Sequence, residues 1–151
     1  MMSEVVIFWG CSMRGGYPNV SQDEIRQIVA GMKKLGIRLA SEHQMAEGVL
    51  DQEDNLTAEE IHDRDYSWLL GSSAGIFEIS NPSLGVGGEI ADMLHLGKPV
   101  LCLYKGDERN VSAYIRGKAS SRYLKSNLIC RRWETVEQSL EIIRAFVEGL
   151  S

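Results

Sequence analysis

The chain has 151 residues, of which 44% are hydrophobic and 25% are charged, and its formal net charge is −5. These values are ordinary for one folded domain with a hydrophobic core. The acidic balance argues against binding to polymeric nucleic acid, which requires a basic surface. No apolar run is long enough to cross a membrane, and no signal peptide is visible, so we expect a cytoplasmic protein.

The first part of the chain alternates between strand-like and helix-like segments. Residues 5–10 form an apolar run that predicts the first strand. Ser21 and Glu24 have the spacing of a capping box, and apolar residues at helical spacing follow them. Residues 37–40 predict a second short strand, and residues 42–55 have the composition of a loop.

The next segments repeat this alternation. Thr57 and Glu60 form a second capping box, which predicts a helix that runs through Leu69. Residues 74–79 are apolar and predict a buried third strand. A glycine-rich stretch at residues 81–89 then separates this strand from a segment with helical spacing.

The remaining segments complete a five-stranded pattern. Residues 100–104 and 128–130 predict two further strands, with a short helix at residues 111–116 between them. Thr135 and Gln138 form the capping box of a closing helix. Because strands alternate with helices throughout, we predict a flavodoxin-like, doubly wound, five-stranded parallel sheet with helices on both faces.

The glycine-rich stretch is the most informative candidate site. It is expected at the carboxyl end of a strand, where open α/β sheets bind ligands. Backbone N–H groups at a helix start attract anions, and Gly85 and Gly87 let a ligand approach the main chain. Glu89 is expected in the first turn of the helix, where its carboxylate can act as a nucleophile or a base. Acidic residues also favour that turn because of the helix dipole alone.

Two further segments carry polar groups that could join this site. The loop after the first strand contains Ser12, Met13, Arg14, Gly15 and Gly16. Its hydroxyl, guanidinium and backbone N–H groups suit a phosphate or a carboxylate, although a glycine-rich loop can also serve only to turn the chain. Ile61 and Asp65 are four residues apart and therefore share one helix face, which could instead be an ordinary solvated face.

The cysteines and histidines point to no metal site. Cys11, Cys102 and Cys130 have no CxxC spacing and are interpreted as buried, reduced thiols. The three histidines are isolated from one another. We therefore expect neither a metal ion nor a cofactor.

Four motifs together resemble those of the 2'-deoxynucleoside 5'-phosphate N-hydrolases, a group within the nucleoside 2-deoxyribosyltransferase superfamily. In order and spacing they are Ser12-Met13-Arg14-Gly15-Gly16, Ile61-His62-x-x-Asp65-x-x-Trp68, Pro82-Ser83-Leu84-Gly85-Val86-Gly87-x-Glu89 and Ser112-Ala113-x-Ile115-Arg116-Gly117. The resemblance implies one nucleoside 2-deoxyribosyltransferase-like domain over residues 1–151. It also implies a homodimer that cleaves the N-glycosidic bond of a nucleoside monophosphate.

The resemblance also implies a role for each matched residue. Glu89 matches the nucleophile that attacks the anomeric carbon, and Asp65 matches the carboxylate that faces the base and the sugar. Ile61 matches an apolar wall for the base, and Ser112 matches a residue that reaches the phosphate from the neighbouring subunit. The phosphate-side pocket is matched by Ser12, Arg14, Gly16 and Ser83.

One position departs from the family pattern. Phe8 stands where the family usually has a tyrosine, whose hydroxyl can hydrogen-bond the nucleophile and crowd the 2'-position of the sugar. A ribonucleotide substrate therefore becomes possible beside a deoxyribonucleotide. Two alternatives remain: a deoxyribosyltransferase that acts on unphosphorylated nucleosides, and a nucleotide-binding module without catalysis.

Overall fold

The computed structural model describes residues 5–12, 19–40, 55–120, 122 and 126–150. Its strands are β1 (Val6–Gly10), β2 (Arg38–Leu39), β3 (Ala74–Glu78), β4 (Val100–Lys105) and β5 (Leu128–Trp133). All pair in parallel in the order β2-β1-β3-β4-β5, which is the flavodoxin-like order. The predicted fold class is confirmed. The loop predicted at residues 42–55 lies outside the described residues, except for residue 55.

The helices within the described ranges cover both faces of the sheet. They are α1 (Gln22–Lys34), α2 (Ala58–Leu70), α3 (Leu84–His95), α4 (Ala113–Lys118) and α5 (Val136–Glu148). Helices α1 and α5 pack on one apolar cluster with the side chains of Ile7 and Trp9. Helices α2, α3 and α4 pack on the other, which contains Phe8 and Phe77. None of these helices is long and apolar enough to span a membrane.

Local signals account for the starts of three helices. The boxes predicted for Ser21 with Glu24, Thr57 with Glu60 and Thr135 with Gln138 all form. In each box the hydroxyl accepts a hydrogen bond from the backbone N–H three residues on, and the Glu or Gln side chain accepts one from the N-cap backbone. These contacts satisfy N–H groups that the helix itself leaves unpaired.

The glycine-rich stretch differs from its prediction. It was expected as a turn with Glu89 in the first turn of the following helix, but α3 already begins at Leu84. Ser83 is the N-cap, and its Oγ accepts a hydrogen bond from the Val86 N–H at 3.2 Å. This cap stabilises the helix start against the cost of about 1 kcal/mol for each helical glycine. Glu89 therefore lies in the second turn.

Two other elements differ from their predicted bounds by two or more residues at one or both ends. The strand predicted at residues 128–130 continues to Trp133, because β5 is an edge strand that tolerates exposed, polar residues such as Arg131. Trp133 itself is 1% exposed and pairs in register with the end of β4. The short helix predicted at residues 111–116 begins at Ala113, behind its N-cap Ser112.

Candidate active site

The carboxyl ends of β1 and β3 lie side by side where the chain changes direction across the sheet. From β1 the chain crosses to β2 through α1 on one face, and from β3 it crosses to β4 through α3 on the other. Open α/β sheets leave a ligand crevice at such a switch point. A cavity of about 1100 Å³ lies there, lined by Cys11 after β1 and by Asn81 and Pro82 after β3.

The cavity brings together residues from three helices. Helix α2 supplies one side, the start of α3 lies in the wall, and α4 contributes Tyr114, Ile115 and Lys118. The predicted site residues that line the cavity are Ile61, Asp65, Ser83, Gly85, Gly87, Glu89 and Ser112. Sequence spacing had predicted only that Ile61 and Asp65 share a helix face, and both do face this cavity.

The Glu89 carboxylate lies over the end of β1. A Cβ atom at Gly10 would be 3.4 Å from Oε1 of Glu89 and 2.5 Å from Cδ1 of Phe77. A side chain at position 10 would therefore collide with the Phe77 ring beneath the carboxylate. The pKa of the neighbouring Cys11 thiol is raised to about 12, first by burial, then by the charge of Glu78, and further by the charge of Glu89.

Asp65 is the second carboxylate of the cavity. Its Oδ1 accepts a hydrogen bond from Nε of Arg64 at 2.9 Å, and both side chains are 22% exposed. The Arg64 guanidinium also lies over the Trp68 ring, 5.0 Å from its centre, in a cation–π contact. The cavity thus holds two carboxylates on different helices, a combination suited to nucleophilic and acid–base chemistry.

The start of α3 offers an open backbone surface. Nothing lies within 4 Å of a Cβ atom at Gly87 or Gly88, and at Gly85 only Ser83 Oγ comes as close as 3.9 Å. The Val86 N–H donates to Ser83 Oγ, whereas the N–H groups of Leu84 and Gly85, at the first two positions of α3, have no partner within the helix and can face an anionic ligand. This arrangement fits the predicted approach of a ligand to the main chain.

Phe8 and Ser12 are not among the residues that line the cavity. The Phe8 ring is fully buried and packs against Phe77 with 5.8 Å between ring centres. Ser12 is also fully buried, and its Oγ has no hydrogen-bond partner among the described residues. The other predicted members of this loop, Met13, Arg14, Gly15 and Gly16, lie outside the described residues.

A buried carboxylate at the end of β3 was missed by the sequence analysis. Glu78 is 1% exposed, and its oxygens accept hydrogen bonds from the Ser80 N–H and from Trp133 Nε1, both at 2.6 Å. Burial raises its pKa to about 7, although these hydrogen bonds favour the charged form. The sequence did contain a signal for this residue, because Glu78 stands inside an apolar run just before the edge of the sheet at which ligands bind.

Asn81 joins the two loops at the mouth of the crevice. Its Oδ1 accepts hydrogen bonds from the Asn19 and Val20 N–H groups at 2.9 and 3.1 Å, and its Nδ2 donates to the Val20 carbonyl at 2.9 Å. Asn19 Nδ2 donates in return to the Ser80 carbonyl at 2.7 Å. The end of the loop after β1 is therefore fixed against the loop that leads to Ser83.

The described residues contain no cluster of His, Cys, Asp or Glu that could hold a metal ion. No family model matches the chain. In fold it is similar to the CMP N-glycosidase BcmB of Clostridium botulinum, with a TM-score of 0.65 and 16% identity over 93% of this chain and 98% of that one.

Curated relatives are more similar in sequence. The 5-hydroxymethyl-dUMP N-hydrolase of Mus musculus is 35% identical over 90% of this chain and 75% of its own length. The protein of the same name from Esox lucius is 33% identical over 96% of this chain and 97% of its own length. A Trichoplax adhaerens protein named as a 2'-deoxynucleoside 5'-phosphate N-hydrolase is 36% identical over 80% of this chain and 81% of its own length. The chain therefore belongs to the 2'-deoxynucleoside 5'-phosphate N-hydrolase family, which its four motifs predicted.

Proposed function

We propose that this protein hydrolyses the N-glycosidic bond of nucleoside or deoxynucleoside 5'-monophosphates, and releases the free base and the sugar 5-phosphate. The observation that carries the proposal is the presence of Glu89 and Asp65 in one cavity at the switch point of the sheet. Membership of a family of nucleotide N-hydrolases supports the same reaction. Binding alone would need neither carboxylate.

The proposed reaction proceeds in two steps. A Glu89 oxygen attacks the anomeric carbon as the bond to the base breaks, through a state that resembles an oxocarbenium ion, and a glycosyl ester forms. Asp65, which faces the base, relays a proton to the base as it leaves. Water then attacks the anomeric carbon and gives up a proton to Asp65, which frees the sugar phosphate and returns the Glu89 carboxylate.

A substrate panel tests this function. The relatives are named for 5-hydroxymethyl-dUMP, a deoxyribonucleotide, and the similar fold is named for CMP, a ribonucleotide, so the panel should include both. Release of free base from nucleoside monophosphates is expected. Transfer of deoxyribose between bases with unphosphorylated nucleosides would indicate a transferase, and binding without turnover would indicate a non-catalytic module.

Arg14 is proposed to bind the 5'-phosphate. The change Arg14→Ala should weaken binding of a nucleotide by about 10–150-fold, since a hydrogen bond to a charged group is worth roughly 1.5–3 kcal/mol. Binding of the matching nucleoside should hardly change. Calorimetric titration of both ligands measures this, with the exposed Arg26→Ala as control. Equal losses for both ligands would remove Arg14 from the phosphate site.

Ser112 lies at the cavity of its own chain, and we propose a homodimer in which its hydroxyl reaches across to the phosphate bound in the partner's cavity. Leu84 and Tyr114, beside the cavity, are 99% and 76% exposed, and two such large apolar side chains near each other support a contact surface here. Mixing Glu89→Gln with Ser112→Ala subunits should restore about a quarter of wild-type activity, because half of the dimers then hold one intact site. No gain on mixing, or sedimentation of an active monomer, would argue against shared sites.

Phe8 is proposed to relax the preference for deoxyribose. Phe8 and Gly10 point to the same face of β1, and Oε1 of Glu89 lies over Gly10, so a hydroxyl on the Phe8 ring would be added on the face that carries Glu89. Phe8→Tyr should therefore raise the ratio of kcat/KM for deoxyribonucleotides over matched ribonucleotides. An unchanged ratio would leave Phe8 with a packing role only.

A further inference from the structure

Cys102 and Cys130 lie directly opposite each other on β4 and β5. Neighbouring strands are about 4.8 Å apart, which is within the range of roughly 4.4–6.8 Å between the Cα atoms of a disulfide. Cys102 is fully buried, whereas Cys130 is half-buried on the edge strand. The Cys130 thiol is therefore open to a small reagent, and the buried Cys102 thiol lies next to it on the neighbouring strand.

The surroundings make the two sulfurs unequal. The interaction with the neighbouring Cys102 side chain is the main reason that the pKa of Cys130 is lowered, and the guanidinium groups of Arg116 and Arg131 act in the same direction against burial. The same interaction, burial, and the charges of Cys130 and Glu78 raise the pKa of Cys102. A half-exposed thiolate beside cationic groups is the environment of a reactive cysteine.

We propose that Cys130 and Cys102 form a peroxide-sensitive dithiol, in which Cys130 is the attacking and Cys102 the resolving cysteine. The Cys130 thiolate attacks one oxygen of hydrogen peroxide; the O–O bond breaks, a proton is taken up, and water leaves with Cys130 oxidised to a sulfenic acid. The Cys102 sulfur then displaces the hydroxyl group of that sulfenic acid, loses its proton, and a second water leaves as the disulfide forms.

Cys11 provides an internal control. It is buried, with 3% exposure, and its raised pKa keeps it as a thiol near neutral pH. Alkylation of the reduced protein by iodoacetamide near neutral pH should therefore label Cys130 at least about tenfold faster than Cys11, since only the thiolate is a good nucleophile. As the pH is lowered, the rate of labelling should fall at a lower pH for Cys130 than for Cys11, because the pKa of Cys130 is the lower of the two.

Peptide mass spectrometry after peroxide treatment tests the proposal on the full chain. The wild type should give a Cys102–Cys130 link that dithiothreitol removes, and Cys11→Ser should give the same link. In Cys102→Ser the oxidised Cys130 should instead be trapped by dimedone, while Cys130→Ser should leave Cys102 unmodified. Circular dichroism of each variant verifies the fold.

Three results would overturn the assignment. One is faster oxidation or alkylation of Cys11 than of Cys130. Another is a dimedone adduct on Cys102 in the Cys130→Ser variant, since this would make Cys102 the attacking residue. The third is a stable sulfenic acid on wild-type Cys130 with no link to Cys102. The proposal concerns the thiols alone and does not depend on the glycosidic reaction.

Discussion

Replacing Glu89 with Gln should lower kcat for nucleotide hydrolysis by at least about 1000-fold, while the protein still folds and binds nucleotide. An amide of the same size fills the same position over the end of β1, but it is too weak a nucleophile to form the glycosyl ester. It also removes the negative charge that stabilises the oxocarbenium-like state. The loss should therefore appear in kcat rather than in binding.

The exposed Asp92 on the same helix provides a matched control. Asp92→Asn also removes one carboxylate from α3, yet it should leave turnover unchanged because Asp92 does not line the cavity. Steady-state kinetics and calorimetric nucleotide binding on both variants separate catalysis from binding. Near-normal turnover of Glu89→Gln would refute the role of Glu89 as nucleophile.

Glu78 should make the protein less stable as the pH rises. Burial raises its pKa from 4.5 to about 7, so between these values the folded state holds a proton that the unfolded state has released. The tighter binding of this proton by the folded state adds to the free energy of unfolding. The added stability is fully present below pH 4.5 and is lost as the pH rises to about 7. A shift of this size corresponds to about 3 kcal/mol.

Urea unfolding of wild type and Glu78→Gln between pH 4.5 and 7.5 measures this contribution. The free energy of unfolding of Glu78→Gln should not decline over this pH range, whereas that of the exposed Glu137→Gln should decline as in the wild type. Glu24 acts in the opposite direction, since its pKa is lowered chiefly by a hydrogen bond with Lys105, and it contributes equally in all three proteins. A Glu78→Gln variant with the wild-type slope would show that Glu78 does not hold the proton.

Signals within short segments predicted most of the fold. The Thr57–Glu60 box and the apolar run of β3 each depend on a few neighbouring residues, so they can be read without tertiary information. The alternation of such segments restricts the topology, because parallel strands need crossover helices. A doubly wound sheet with helices on both faces is then expected, and the observed order β2-β1-β3-β4-β5 agrees with the flavodoxin-like prediction.

Contacts between distant segments could not be predicted in this way. The hydrogen bond from Trp133 to Glu78 joins residues 55 positions apart, and those between Asn81 and Val20 span 61 positions. Glu89 was expected one turn too early, because the Ser83 cap outweighs the low helix propensity of the glycines. Phe8 could be placed on a buried strand, but its separation from the cavity wall depends on packing against Phe77.

The sequence likewise predicted some of the functional residues and missed others. Motif spacing indicated which residues belong together, and the fold brings Ile61, Asp65, Ser83 and Glu89 into one cavity. The reactive pairing of Cys102 with Cys130 was invisible to the sequence, where the cysteines have no informative spacing. It arises only from the register between β4 and β5.

The most direct test of the proposed reaction is the mass of the peptide that contains Glu89 after rapid acid quench during turnover. We expect an adduct of one sugar 5-phosphate on Glu89 of the wild type, formed together with free base, and none in Glu89→Gln. An adduct on a different residue, or base release from substrate without any adduct on Glu89, would contradict a glycosyl-enzyme intermediate at this position.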